Sequence, residues 1–191
     1  MGPNEIVLKV AAALERANIP FMIVGSFASN VYGIERNTQD ADLVVQLPAE
    51  GLTTFLEYLG SDFKLDPQLS FESIIAMGHY YVLRHLHPLF KIELFIVGDS
   101  EVARGEFQRR RKLIFQGTPL YFVSPEDLIV IKLRWFHADR RRTKDVDDVR
   151  GVLAVQQGKV DLGVIRERCD RYGVRDELEE IIRSLPALPR P

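Results

Sequence analysis

The stretch from Val24 to Val45, V-G-S-F-A-S-N-V-Y-G-I-E-R-N-T-Q-D-A-D-L-V-V, constrains this chain more than any other. A short apolar run, residues 21–24, ends in Gly25-Ser26; a short helix follows, and Arg36-Asn37-Thr38 leads into Asp40-Ala41-Asp42 and a second apolar run. Successive side chains of a strand point to opposite faces, so Asp40 and Asp42 share one face while Ala41 and Leu43 take the other. Two carboxylates that close repel unless something positive sits between them. A hard divalent cation, which prefers carboxylate oxygens, is the natural occupant. Gly25 lets the backbone approach a ligand closely, and Ser26 with the amides that begin the next helix supplies donors for an anion. The two halves point to a phosphate held beside a metal.

The 191 residues suffice for one domain with a proper core, or a compact domain with a helical appendage. A net charge of −2 gives no global pull toward nucleic acid or anionic membrane, so any such contact must come from local clusters. The single cysteine, Cys169, excludes an intramolecular disulfide and a multi-cysteine metal site. Its expected place is inside a helix. No secretory leader pattern opens the sequence, and no apolar run approaches the roughly 18 residues of a membrane span, so a cytoplasmic protein without a membrane partner is expected.

Taken in order, helical spacing of Ile6, Val7, Val10, Ala11 and Leu14 predicts a helix over 4–17, followed by a strand over 21–24, a helix over 26–32 and a strand over 42–46. Helices over 49–60 and 70–76 flank a short strand at 63–65. Residues 79–86 and 89–97 read as two strands around His87-Pro88, a hairpin by spacing. The second, L-F-K-I-E-L-F-I-V, is apolar enough to be central yet places Lys91 and Glu93 on one face. Either these charges serve a site or they form a simple surface pair. A helix over 100–108 leads into Arg109-Arg110-Arg111-Lys112 at the start of another hairpin. That basic run is either a solvated edge that discourages strand pairing or a contact for RNA or triphosphate.

Ser124-Pro125-Glu126-Asp127 opens a helix with a capping serine, proline at the first helical position and acids in the first turn. On it, Lys132 shares an apolar stripe with Leu128, Trp135 and Phe136. A lysine there needs an anion or a route to water. It either reaches nucleotide phosphates or snorkels. Arg140-Arg141-Arg142-Thr143-Lys144 follows, a solvated loop or a cationic contact, and then Asp145 and Asp148 one turn apart on a helix. Two amphipathic helices over 162–169 and 174–185 complete the chain, with 186–191 as a loose tail. The four histidines, His79, His85, His87 and His137, show no ligand spacing and are read as structural or surface residues.

G-S followed after a short helix by D-x-D resembles the motif of the DNA polymerase β-like nucleotidyltransferase superfamily. S-P-E-D-L-I-V-I-K-L and K-D-V-D-D-V are similar to segments of bacterial minimal nucleotidyltransferases, including abortive-infection toxins. The resemblance spans roughly residues 20–155. It implies an α+β fold: a nucleotidyltransferase-like mixed β-sheet flanked by helices over 1–123, then a C-terminal helical bundle over 124–185, then the tail. It implies Mg²⁺ or Mn²⁺ held by Asp40, Asp42 and a third carboxylate on a neighbouring strand, where Glu93 stands in place of the usual Asp. The implied nucleotide- and phosphate-binding set is Gly25, Ser26, Arg36, Thr38, Lys91, Lys132 and Asp145. The expected reaction is transfer of a nucleoside monophosphate from an NTP to a hydroxyl on an RNA or tRNA end, a protein or a small molecule. The alternative is a catalytically inactive nucleotide-binding or toxin-antitoxin-type interaction module of the same fold, which the Glu at 93 favours.

Overall fold

A computed structural model describes residues 1–48, 50–66, 68–72, 78–86 and 90–185. Its contacts divide the chain into two units, one of Met1–Ala28 with Asn37–Ser124, the other of Ser29–Arg36 with the chain from Pro125 onward.

In the first unit the described strands form one mixed sheet. They are β1 (Phe21–Val24), β2 (Asp40–Val45), β3 (Phe63–Leu65), β4 (Ser70–Glu72), β5 (Gly78–His85), β6 (Lys91–Ile96), β7 (Arg111–Phe115) and β8 (Thr118–Phe122). The order across the sheet is β3-β5-β6-β2-β1-β8-β7, with β4 paired to β5. Alternation fixes how β2 and β6 sit. Ala41, Leu43 and Val45 with Ile92 and Leu94 are nearly solvent-free, whereas the residues between them include Asp40, Asp42, Lys91 and Glu93, all partly accessible. A buried face of β-branched and leucyl side chains holds the register, and any one-residue slip would send the four charges into the core. Helices α1 (Pro3–Arg16), α3 (Gly51–Leu59) and α4 (Glu101–Gln108) belong to this unit; α1 buries Ile6, Val7, Val10, Ala11 and Leu14, the stripe predicted from spacing, and touches α3.

One expectation fails here. The helix predicted over 70–76 is instead strand β4, paired antiparallel to β5 through Ser70↔Tyr80 and Phe71↔His79. Three residues carry too short a pattern to separate the two periods, and the neighbouring strand offers ladder hydrogen bonds that an isolated turn cannot match. The rest of that segment, like the His87-Pro88 turn, lies outside the described residues. At the opposite end of the sheet, β7 is an edge strand. Arg111 and Lys112 on it are exposed, and Arg110 lies over the rings of Phe107 and Tyr121. The basic run therefore occupies the solvated edge of the sheet.

The second unit is helical. Helix α2 (Gly25–Tyr32) passes from one unit to the other; α5 (Pro125–Ala138), α6 (Thr143–Val155), α7 (Leu162–Tyr172) and α8 (Arg175–Ser184) form the bundle. Glycines explain why 29–36 joins it. A β-carbon on Gly33 would stand 2.8 Å from the Val152 nitrogen, and one on Gly151 3.2 Å from the Ile34 nitrogen, so the two backbones touch where side chains are absent. The side chain of Gln156 adds a hydrogen bond to the Tyr32 carbonyl at 2.8 Å. No helix among the described residues is long and apolar enough to cross a membrane.

Candidate active site

Strands β2 and β6 run parallel in register, pairing Asp40 with Lys91 and Asp42 with Glu93. Paired residues face the same way, so four charged side chains occupy two adjacent rows on the accessible face. On the other flank of β2, Val24 of β1 pairs with Asp42, and the chain turns into α2 at the very next residue. That residue is Gly25, at φ +61°, and a β-carbon there would lie 2.0 Å from Asp42 Oδ2. Only glycine fits the corner, for its backbone conformation and for the carboxylate pressed against it. The corner and the carboxylate pair are thus one structure.

Between the acids stands a cation. Lys91 Nζ donates to Glu93 Oε1 at 2.8 Å and lies 4.0 Å from Asp40 Oδ2. Partial burial disfavours the ammonium, but the hydrogen bond to Glu93 and the charges of Glu93, Asp40 and Asp42 outweigh it and hold the Lys91 pKa above the ordinary lysine value. The Thr38 hydroxyl donates to Asp40 Oδ1 at 3.0 Å, fixing that carboxylate on its strand. Among the described residues no three His, Cys, Asp or Glu side chains close around a point as a preformed metal cage. The donor chemistry still fits a hard cation, since magnesium is commonly bound through one or two carboxylates completed by substrate phosphates and water. Asp40 and Asp42 present such oxygens on an open face.

The remaining residues of the expected set, Arg36, Lys132 and Asp145, belong to the second unit and are joined to one another there. Lys132, 4% exposed, sits 2.8 Å from Asp145 Oδ1 and 2.7 Å from Asp148 Oδ2. Arg36 grips Asp148 with Nε at 2.6 Å and Nη2 at 2.8 Å, and Arg142 Nε donates to Asp145 at 2.7 Å. The result is an alternating row, Arg142-Asp145-Lys132-Asp148-Arg36. Burial works against ionisation of Asp148, yet the Arg36 hydrogen bonds and the Lys132 charge prevail and keep its pKa below the ordinary carboxylate value. Asp148, which sequence reasoning placed on a helix without giving it a role, is the centre of this row. Its two partners, Lys132 and Arg36, lie on two other segments, so no local pattern marks it.

The arginine loop is likewise provided for within its own unit. Arg140 bonds Glu177 at 2.6 Å, Arg141 chelates Asp139, and Arg142 also stacks on Trp135. His137 Nδ1 lies 2.7 Å from Glu177 Oε1. Burial pushes the Cys169 thiol up to about 12, which removes it as a nucleophile.

Residues 4–187 match the family described as "Nucleotidyl transferase of unknown function (DUF2204)". The chain belongs to this family. Nucleotidyl transfer is therefore the activity class of the family. No curated protein matches the sequence. Among solved structures, the antibiotic-resistance factor ANT(2'')-Ia is similar at 18% identity over 94% of this chain and 96% of its own, with a TM-score of 0.62. An antigenic nucleotidyltransferase-like protein from Paracoccidioides brasiliensis shares 19% identity over 94% and 92%, with a TM-score of 0.59. The lincosamide antibiotic adenylyltransferase LnuA, lincomycin-bound, shares 10% over 78% and 96%, with a TM-score of 0.51. At these identities the likeness is one of fold: a mixed sheet with helices, as the sequence resemblance implies.

Proposed function

We propose that the chain is a metal-dependent nucleotidyltransferase that moves a nucleoside monophosphate from an NTP to the hydroxyl of a small molecule. The observation that carries this is the register: Asp42 paired with Glu93, Asp40 one row away on the same face, and the Gly25 corner pressed on Asp42. A divalent cation, when bound to Asp40 and Asp42, would neutralise the triphosphate and polarise the phosphorus that is attacked. Gly25 and Ser26 would seat the β- and γ-phosphates at the start of α2, where backbone amides point outward. The acceptor oxygen forms a bond to the α-phosphorus, the bond to the bridging oxygen breaks, and pyrophosphate leaves. Glu93 would take the hydroxyl proton, and Lys91 would stabilise negative charge nearby. Thr38 acts by holding Asp40, and the Arg36–Asp148–Lys132–Asp145 row by holding the frame of its own unit.

A small acceptor is favoured over RNA because the arginines of the 140–142 loop, a candidate cationic contact, are taken up by Glu177, Asp139 and Asp145. ANT(2'')-Ia in complex with adenylyl-2''-tobramycin, 19% identical over 88% of this chain, with a TM-score of 0.60, is a fold relative with such an acceptor. Transfer from α-labelled NTP in millimolar Mg²⁺ tests the reading. Asp42→Asn is expected to lower it by about three orders of magnitude or more with the melting temperature retained, as loss of one preorganised charge at a phosphoryl centre does. Undiminished transfer by that variant contradicts the mechanism.

A second reading, nucleotide binding without turnover, draws on the Lys91 ammonium already bonded to Glu93. Saturable NTP binding with no pyrophosphate release, from wild type and Asp42→Asn alike, would support it.

A further inference from the structure

We infer that the cavity beside Asp40 is the acceptor subsite and that it takes a small hydroxyl compound bearing a phosphate monoester, of about the size of a sugar phosphate. This deepens the transferase reading and rests on it. The cavity, about 480 Å³ and within the range of small-molecule sites, is lined in part by Asp40, Lys64, Arg84, His85, Phe90 and Lys91. Its charges are ordered by the sheet. Lys64 pairs with Arg84 across β3 and β5, Arg84 with Lys91 across β5 and β6, and Lys91 with Asp40 across β6 and β2. Directly paired residues face the same way, so one transverse row of three cations ends at the first carboxylate of the site.

Like charges set opposite each other destabilise a sheet, and of the three only Lys91 is compensated, by Glu93 and Asp40. In the second unit each arginine of the Arg140–Arg142 cluster has an acid to answer it. Neither Lys64 nor Arg84 forms an ion pair with a described residue, and both are exposed. A guanidinium fork and an ammonium at the edge of a concave site are the donors that a phosphate oxygen cluster needs.

Sheet order assigns the cavity to the acceptor rather than the donor. The Gly25-Ser26 corner follows β1, on one flank of β2; the cationic row runs across β6, β5 and β3, on the other. A triphosphate at the corner and a ligand in the cavity would approach Asp40 and Asp42 from opposite sides. Strand β5 stands two strand spacings, about 10 Å, from β2. A sugar phosphate held by Arg84 at its phosphate spans that distance with a hydroxyl left beside the carboxylates.

The test is binding by the full chain, read by calorimetry, with ribose 5-phosphate, ribose and spermidine as probes and with ATP·Mg²⁺ measured in parallel. Ribose 5-phosphate is expected to saturate, ribose and spermidine not, and the Lys64→Gln/Arg84→Gln double variant to raise the Kd about tenfold or more. Arg84→Lys, which keeps the charge, should restore part of that loss, and ATP affinity should stay within error in all variants. No saturable binding of ribose 5-phosphate, tighter binding of spermidine, or a double variant that binds ribose 5-phosphate normally would overturn the inference. A double variant that loses ATP instead would place the donor's triphosphate in the cavity, which also overturns it. Failure of the transferase reading itself shows separately, as undiminished transfer by Asp42→Asn.

Discussion

Gly25 leaves no room for substitution: any β-carbon there lands 2.0 Å from Asp42 Oδ2, and its φ of +61° is one that L side chains resist. Gly25→Ala must therefore displace either the corner or the carboxylate. Because a misplacement of about 1 Å costs on the order of 10²-fold in rate, that variant is expected to lose transfer by at least this factor while NTP binding falls less. A kcat within a few-fold of wild type, measured at saturating NTP, would show that the corner has no bearing on Asp42. At this scale the sequence was legible where period two applies. Asp40 and Asp42 share a face because strands alternate, and Gly25 stands where β1 turns into α2, as the end of the apolar run suggested. The partners of Lys132 were not legible, since Asp145 and Asp148 come from another helix, and Arg36, from a third segment, joins the row through Asp148.

Helix α6 is tied in place by two buried carboxylates, Asp145 and Asp148. Asp148 faces Lys132 and Arg36 from two other segments, and its pKa lies below the ordinary 3.8 despite burial. A carboxyl whose folded pKa is depressed contributes stability that is complete above the unfolded value and is lost as pH falls through the folded one. Urea midpoints are accordingly expected to hold down to about pH 4 and to decline below it, through the range between the two pKa values. Asp148→Asn should make that acid limb shallower and, by leaving Lys132 and Arg36 short of an anion, cost about 3 kcal/mol or more near neutral pH. An unchanged acid limb in the variant would mean that other carboxylates govern it. Elements with long periodic stripes, such as α1, were legible from spacing; β4 was not, because the choice between strand and helix there rests on β5, a partner some residues further along the chain.

At the level of the whole chain, charge is sorted by task. The net charge is −2, and the arginines of the 140–142 loop are paired with acids, while the row from Lys64 to Lys91 is left facing a cavity. Basic runs in the sequence alone could not separate these cases, because sequence shows cations and not what they face. The family match extends from residue 4 to 187 and so covers both units, whereas the carboxylate rows and the glycine corner lie in the first. The central claim is that Asp40 and Asp42 hold one divalent ion with Glu93 beside it. Electron paramagnetic resonance of Mn²⁺ titrated against the protein with a non-hydrolysable NTP tests this most directly. The account predicts nucleotide-dependent Mn²⁺ binding in wild type, weakened about tenfold or more in Asp40→Asn and in Asp42→Asn and by a smaller factor in Glu93→Gln. Equal Mn²⁺ binding by wild type and all three variants would contradict it.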